Sequence, residues 1–386
     1  MQIPLLSFFT GGGFLDLGFE QAGFDVKWTN EFNPEFAKIY ASGMTSWRKS
    51  LDPKTPNAEI SNTDNITSLT ASHVLDQAFG GKVPEVFGMV GGPPCTDFSV
   101  GGLHAGHNGN NGKLTTVYVN MVRSIKPAFF LLENVPHLES HPEHGPAFAS
   151  LMQKLYVAGY CFIWDKLNAL DFGVPQNRTR LFVVGFQRDL LRSWYLAERF
   201  PQRALELNFH WPRPAYPSAK TAYKWPTVDS FGGTPAKPDG IPMDLCVQRV
   251  LSPDPERLPN GKEWFKPKSQ KFTTIQEGDS SGKSFKRLHR FRYAPTAWYG
   301  NNEVHLHPFK ARRLSVREAL RLQSVPDVYV MPKDSPLSAK FKVICNGVPF
   351  TLAAKLAECI ASFISTGVSN GHAASYNGAG GRENGR

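Results

Sequence analysis

A doubly wound, mostly parallel α/β sheet with a second, smaller irregular domain is the fold this sequence predicts, and three observations predict it. Strand-like apolar runs alternate with helical periods through the first half of the chain. The first of these runs ends in a glycine turn, Gly11-Gly12-Gly13, and a carboxylate, Glu31, closes the second strand 20 residues after Gly11, the arrangement with which doubly wound folds hold a nucleoside. Near Asp189 the alternation gives way to closely spaced prolines and aromatics.

Taken in order, Leu5–Phe9 reads as strand one, a helix leads to Gly23, and Val26–Thr29 reads as strand two. Asn33-Pro34 supplies an N-cap and a first-turn proline for the helix carrying Phe36, Ile39 and Tyr40. Val86–Val90, Phe129–Leu132 and Leu181–Phe186 are further buried strands, with a helix over about Pro146–Gly159 between the last two. Ser315-Val316-Arg317-Glu318 is a capping box opening a helix through Leu322. A last amphipathic helix over Pro349–Ile364 returns the chain to the sheet, and the Gly, Asn, Ser and Ala that dominate from Ser369 onward predict a disordered tail. The expected division is therefore 1–188 for the sheet domain, 189–335 for the irregular domain, 336–368 for the returning segment and 369–386 for the tail.

Composition narrows the function classes. With 386 residues, 41% of them hydrophobic and 12% aromatic, the chain excludes disorder, collagen and a small disulfide scaffold. Lys+Arg 43 against Asp+Glu 33 favours polyanionic partners, and between 189 and 330 the balance is 23 Lys+Arg to 14 Asp+Glu, so the excess charge sits in the irregular domain. Five scattered cysteines without a C-x-x-C pair predict a reducing compartment and no structural zinc. The N-terminus carries no signal-peptide pattern, and Gly, Pro or charge interrupts every apolar run short of a membrane span.

Four segments have the residue types that chemistry needs. In Gly91-Gly92-Pro93-Pro94-Cys95 a rigid turn presents a thiol at a sheet edge, placed as a nucleophile; a buried small hydrophobe is the alternative. The glycine-rich loop that follows, from Val100 to Gly112, has the composition of a lid. Glu133 ends an apolar strand, where desolvation would let it hold a proton for donation, unless it is an ordinary capping or ion-paired acid. Arg178 and Arg180 alternate onto one side of an extended segment and suit a carboxylate, carbonyl or phosphate; a solvated edge strand is the alternative. Lys283, Lys286, Arg287, Arg290 and Arg292, interleaved with Phe285, Phe291 and Tyr293, read as a phosphate-contacting stripe or as a solvated basic face. His137, His141 and His144 lack the fixed spacing and thiol partner of a metal site.

In chain order these segments resemble the DNA (cytosine-5) methyltransferase family. The matches are F-x-G-x-G at Phe9–Gly13, G-G-P-P-C at Gly91–Cys95 with Phe98-Ser99 after it, E-N-V at Glu133–Val135 and Q-x-R-x-R at Gln176–Arg180. R-x-S-x-R-E-x-x-R-L-Q-S from Arg313 and N-x-V-P at Asn346–Pro349 complete the order, and the variable region before Arg313 is where the family keeps its target recognition domain. Ser7 stands where the family usually has Asp, Phe14 where it usually has a second glycine, and Asn65 where an acid is expected.

The resemblance implies a Rossmann-like fold dependent on S-adenosylmethionine and a cytosine flipped from the duplex. Cys95 would attack carbon 6, Glu133 would protonate or hydrogen-bond nitrogen 3, and Arg178 and Arg180 would hold the base and organise the acid. Phe9, Gly11, Gly13, Glu31, Phe32, Asp64, Asn65, Ile66, Pro94, Asn346 and Val348 would line the donor site, with either Asp64 or Asn65 at the adenine amino group. Ser99 and the stripe from Lys283 to Arg292 would contact DNA. The expected partners are double-stranded DNA and a cognate restriction endonuclease, with no membrane, and the expected setting is a monomer in a prokaryotic cytoplasm, associated with the nucleoid. A transfer RNA methyltransferase and a catalytically silent DNA-binding homologue are the alternatives; intact Cys95, Glu133, Arg178 and Arg180 speak against the second.

Overall fold

The computed structural model describes residues 2–94, 110–195, 199–296, 299 and 304–379, and builds them around one six-stranded sheet. Its first elements are β1 (Ile3–Phe8), α1 (Phe14–Gln21), β2 (Phe24–Asn30), α2 (Pro34–Leu51), α3 (Ala71–Phe79), β3 (Gly88–Gly91), α4 (Asn110–Ile125) and β4 (Phe129–Asn134). There follow α5 (His137–Ser140), α6 (Gly145–Val157), β5 (Tyr160–Asn168), β6 (Gln176–Asn177), β7 (Thr179–Gln187), α7 (Arg188–Tyr195) and α8 (Pro201–Asn208). The sheet order is β2-β1-β3-β4-β7-β5, with β7 antiparallel to both its neighbours and β2, β1, β3 and β4 parallel. Its central strands are unbroken apolar runs because both faces are covered. Leu5, Val90, Phe129, Leu131 and Val184 enter one core, while Leu6, Met89, Phe130, Leu132 and Val183 enter another under α4 and α6.

The edge strand β5 was not among the expected strands, because Asp165 and Lys166 interrupt its apolar run and one side of it faces solvent. Its outer edge is closed by a side chain: the Phe162 N–H donates to Gln202 Oε1 at 3.2 Å, and Gln202 Nε2 donates to the Phe162 carbonyl at 3.0 Å. A side-chain amide thereby occupies a ladder position that would otherwise invite another strand.

Beyond α8 come α9 (Ala219–Ala222), α10 (Lys271–Thr274), β8 (Lys286–Arg287), β9 (Ala294–Pro295), β10 (Val304–Leu306), α11 (Val316–Leu322), α12 (Leu337–Asn346) and α13 (Phe350–Ala379). Two expectations need correction. Residues 189–209 belong with the sheet, since Leu191, Trp194, Leu205 and Phe209 fill its core, and the irregular region starts only after them. The predicted tail also begins too early. Helix α13 runs through Ser369 to Ala379, because no proline interrupts it and Gly367 leaves room for the Trp194 ring, which a Cβ there would approach to 2.6 Å. With only Lys355 and Glu358 charged, the 350–371 stretch is long and apolar enough for a membrane span by length and composition, which the sequence reading had denied. Leu352, Leu356, Ile360 and Phe363 instead bury its apolar stripe against the sheet.

The returning segment, which in the structure takes in α11 and Tyr329 and so starts before 336, locks onto the glycine turn. Both halves of the capping box at Ser315 and Glu318 form. The Tyr329 hydroxyl, beyond α11, donates to the Gly12 carbonyl at 2.7 Å, and a Cβ at Gly43 in α2 would lie 1.9 Å from the same ring. Gly43→Ala is therefore expected to cost ~2–3 kcal/mol by overpacking, read as a lower unfolding midpoint. The penalty should shrink in a Tyr329→Ala background, where the space is open.

Candidate active site

Strand β1 delivers the chain to a turn with one open face. Phe9 takes φ 55°, a left-handed conformation unusual for a bulky residue, and Gly11 and Gly13 take φ 56° and 76°. A Cβ on Gly12 would strike Val343 at 2.4 Å and one on Gly13 would strike the Tyr40 ring at 2.8 Å, whereas one on Gly11 would meet nothing within 4 Å. The turn is thus wedged against the protein at two glycines and open at the third. Glu31 lies under the open side, nearly buried, and accepts the Gly11 N–H at 2.9 Å and the Asn33 N–H at 2.8 Å. Burial raises its pKa above the usual carboxylate value, against the two backbone hydrogen bonds.

The other expected donor-site residues differ in exposure. Phe32 is 63% exposed, an unusual setting for an aromatic ring unless something covers it, and the buried Thr10 hydroxyl has no hydrogen-bond partner among the described residues. Asn65 Oδ1 caps the following turn by accepting the Thr67 N–H at 3.1 Å, while the Asp64 side chain is exposed and Ile66 is buried. At the returning segment Asn346 is exposed at the end of α12 and Val348 is buried in the core. Gln323, the C-cap of α11, clamps this corner, its Nε2 donating to the Ile344 carbonyl and its own backbone carbonyl accepting the Phe350 N–H. An exposed ring, an open turn and a buried carboxylate fit a nucleoside-containing ligand.

On the neighbouring strands the second half of the site is equally ordered. Glu133 is buried at the end of β4, its Oε1 3.1 Å from Arg180 Nε, and its Oε2 is 2.7 Å from where a Cβ on Gly92 would stand. The glycine is what allows the Gly91–Pro94 turn to lie on the carboxyl group. Asn134 Nδ2 donates to the Pro93 carbonyl at 3.4 Å and ties the same turn to β4, a contact the sequence did not single out. Burial raises the pKa of Glu133, and the charges of Arg180 and Arg178 only partly oppose this. Arg178 is fully buried and its Nη2 donates to the Cys345 carbonyl at 2.8 Å, which joins the Q-x-R-x-R segment to N-x-V-P. Pro94 is exposed; Cys95, Ser99 and residues 100–109 of the expected lid lie outside the described residues, and the last three positions of that lid, Asn110 to Gly112, instead open helix α4.

The expected basic stripe does not stand as drawn. Arg287 is fully buried and donates to the carbonyls of Ile275, Phe272, His307 and Lys310; Arg290 forks onto the buried Glu277 at 2.9 and 2.7 Å. These two are internal staples, because an irregular domain with few ladders must satisfy its buried carbonyls with side chains. Burial lowers the pKa of Arg287 to about 10. Lys283 is exposed, while Lys286 and Arg292 are half-buried, Arg292 lying 5.2 Å from the Tyr293 ring centre. Exposed cations outside the expected stripe include Lys262, Lys266, Lys268 and Lys271; their signal in the sequence is the acid-free K-P-K-S-Q-K run. His137, His141 and His144 form a stacked ladder, with centroids 6.4 and 4.7 Å apart.

Comparison with known proteins places this geometry. Residues 3–362 match the model of the C-5 cytosine-specific DNA methylases. Type II methyltransferase M.NmeDI of Neisseria meningitidis serogroup C is 38% identical over 93% of this chain and 84% of its own. M.MthTI of Methanothermobacter thermautotrophicus is 29% identical over 93% and 97%. Among solved structures, a prophage-encoded E. coli protein assigned to the DNA modification methyltransferases superposes with a TM-score of 0.59 at 20% identity, covering 94% of this chain and 100% of that one. The Entamoeba histolytica methyltransferase EhMeth superposes at 0.51 and 15%, covering 94% and 99%. Matched by the family model over residues 3–362 and, over 93% of its length, by a relative 38% identical, the chain belongs to the C-5 cytosine-specific DNA methylases.

Proposed function

We propose that this DNA cytosine-5 methyltransferase takes its methyl group from S-adenosylmethionine and works through a covalent adduct of Cys95 with a flipped cytosine. The observation that carries the reading is the buried carboxyl of Glu133, packed on the Gly92 turn two residues upstream of Pro94 and held by Arg180. The Cys95 thiolate adds to carbon 6 while Glu133 gives its proton to nitrogen 3, so that carbon 5 becomes electron-rich. The donor supplies an electrophilic methyl group. Carbon 5 takes that methyl and then loses its proton, the carbon–sulfur bond breaks, and nitrogen 3 returns its proton to Glu133. Arg180 holds the acid in place, and Arg178 ties this half of the site to the donor corner.

Phe9, Gly11, Gly13, Glu31, Phe32, Ile66, Pro94, Asn346 and Val348 surround the donor, with the two ribose hydroxyls at Glu31. Asp64 meets the adenine amino group, since the Asn65 acceptor is already engaged by Thr67. The exposed lysines at 262, 266, 268, 271 and 283 contact phosphates, with Ser99 near the flipped nucleotide. The Type II names of the relatives support a place beside a restriction endonuclease that cuts the same site, and a monomer in a prokaryotic cytoplasm is consistent with that role.

Cys95→Ser should abolish methyl transfer and leave donor binding intact, checked by labelled-methyl incorporation beside calorimetry. Because burial holds Glu133 above the ordinary carboxylate range, the limb of kcat that reports its ionisation lies above that range. Arg180→Gln removes a charge that opposes this, so the limb moves to higher pH while kcat falls about 10²-fold; a downward shift contradicts the assignment. Alanine at Lys266, Lys268 and Lys271 together should weaken duplex binding and flatten the log K against log salt slope by ~0.9 per lost phosphate contact. Arg287→Ala should instead lower the unfolding midpoint, by ~3–5 kcal/mol of stability.

A further inference from the structure

Beneath the glycine turn lies a buried acid that the reaction above does not use. Asp16, in the first turn of α1, is 0% exposed, and its Oδ1 accepts the Ser7 hydroxyl at 2.6 Å. The charged and titratable groups facing it are Tyr40 and Arg48 from α2, Glu20 from its own helix and Tyr329 from the returning segment. Arg48 is the cation among them, and it is already engaged by Glu20, with Nη2 and Nε donating to Oε1 at 2.6 and 3.1 Å. The same surroundings shape the donor turn: Tyr40 supports Gly13, three residues before Asp16, and Tyr329 holds Gly12. Among the described residues a carboxylate here shares its one cation, Arg48, with Glu20, and it faces Tyr40, the same ring that backs Gly13 of the turn.

We propose that Asp16 is a positioning residue whose negative charge biases the donor pocket toward a cationic sulfonium ligand over the neutral sulfide left after methyl transfer. The inference rests on S-adenosylmethionine being the donor. The two ligands differ by one methyl group and one positive charge, so shape separates them poorly, whereas a buried charge acts over several ångströms with little screening. The bias favours exchange of spent product for fresh donor. Ser7, standing where the family usually carries an acid, is then the partner of an acid moved one turn along, onto the helix.

Burial raises the pKa of Asp16 to about 6, against the Ser7 hydrogen bond. An acid whose folded pKa exceeds its unfolded value stabilises the fold while protonated, and that stability is lost as pH rises through about 6. Donor preference follows the opposite course, growing as the carboxylate forms over the same interval. By linkage, donor binding near this pH releases a proton from Asp16, and sulfide binding does not.

The test is calorimetric titration of the full chain with S-adenosylmethionine and with S-adenosylhomocysteine, between about pH 5 and about pH 8, in buffers of differing ionisation enthalpy. The wild type should favour the sulfonium ligand more at the upper end and release protons on binding it. Asp16→Asn should weaken the sulfonium ligand about tenfold, leave the sulfide within about twofold and remove the pH dependence. Ser7→Ala keeps the acid, loses its hydrogen bond and should move the midpoint upward, which decides the matter if Asp16→Asn fails to fold. Equal weakening of both ligands, or a wild-type ratio flat with pH, overturns the proposal and leaves Asp16 purely structural. A wild type that binds neither ligand overturns the donor reading itself.

Discussion

The constraint on which the active site rests is the dry pairing of Glu133 with Arg180 at the carboxyl end of β4. A carboxyl group there must be desolvated enough to keep a proton, yet paired enough that the folded chain tolerates it. Three backbone facts meet that demand. β4 is apolar up to Leu132, so Glu133 sits at the margin of a closed core; Gly92 has no Cβ, so its turn packs on the carboxyl; and β7, antiparallel to β4, brings Arg180 within 3.1 Å. Were β7 shifted by one residue, Arg180 would point to the other face of the sheet and the acid would lose its partner.

The donor side obeys a complementary logic, in which large side chains from distant segments hold a small-residue turn. Val343, Tyr40 and Tyr329 crowd Gly12 and Gly13 until only Gly11 faces outward, and two of these three residues, Tyr329 and Val343, come from more than about 300 residues along the chain. The returning segment is therefore part of the site: it supplies the wall of the turn through Tyr329 and Val343 and the Cys345 carbonyl on which Arg178 is anchored. A chain ending before α11 would lose the support of both half-sites together.

Much of this was legible in the sequence because its signals are local. Strand periodicity, the Asn33 cap, the Ser315 capping box and the motif order all follow from neighbouring residues, and the described structure keeps them close to where they were expected. What escaped depends on contacts between distant segments. Asp165 and Lys166 hid β5, whose edge is completed by Gln202 from another element. Arg287 and Arg290 read as surface cations because a linear basic run has no sign for inside or outside; four carbonyls from two segments, 272–275 and 307–310, and the buried Glu277 decided the matter. The pairing of Ser7 with Asp16 links a strand to the next helix, and neither residue alone announces it.

The central claim is that one cytosine is attacked by Cys95 while Glu133 serves its nitrogen 3, and trapping on DNA tests it most directly. A target duplex carrying 5-fluorocytosine cannot lose a proton from carbon 5 after methylation, so the enzyme should remain bonded to it. Incubation with S-adenosylmethionine, proteolysis and mass spectrometry should then find the methylated base on the peptide containing Cys95. An adduct on a different residue, or a methylated base with no adduct at all, would contradict the account.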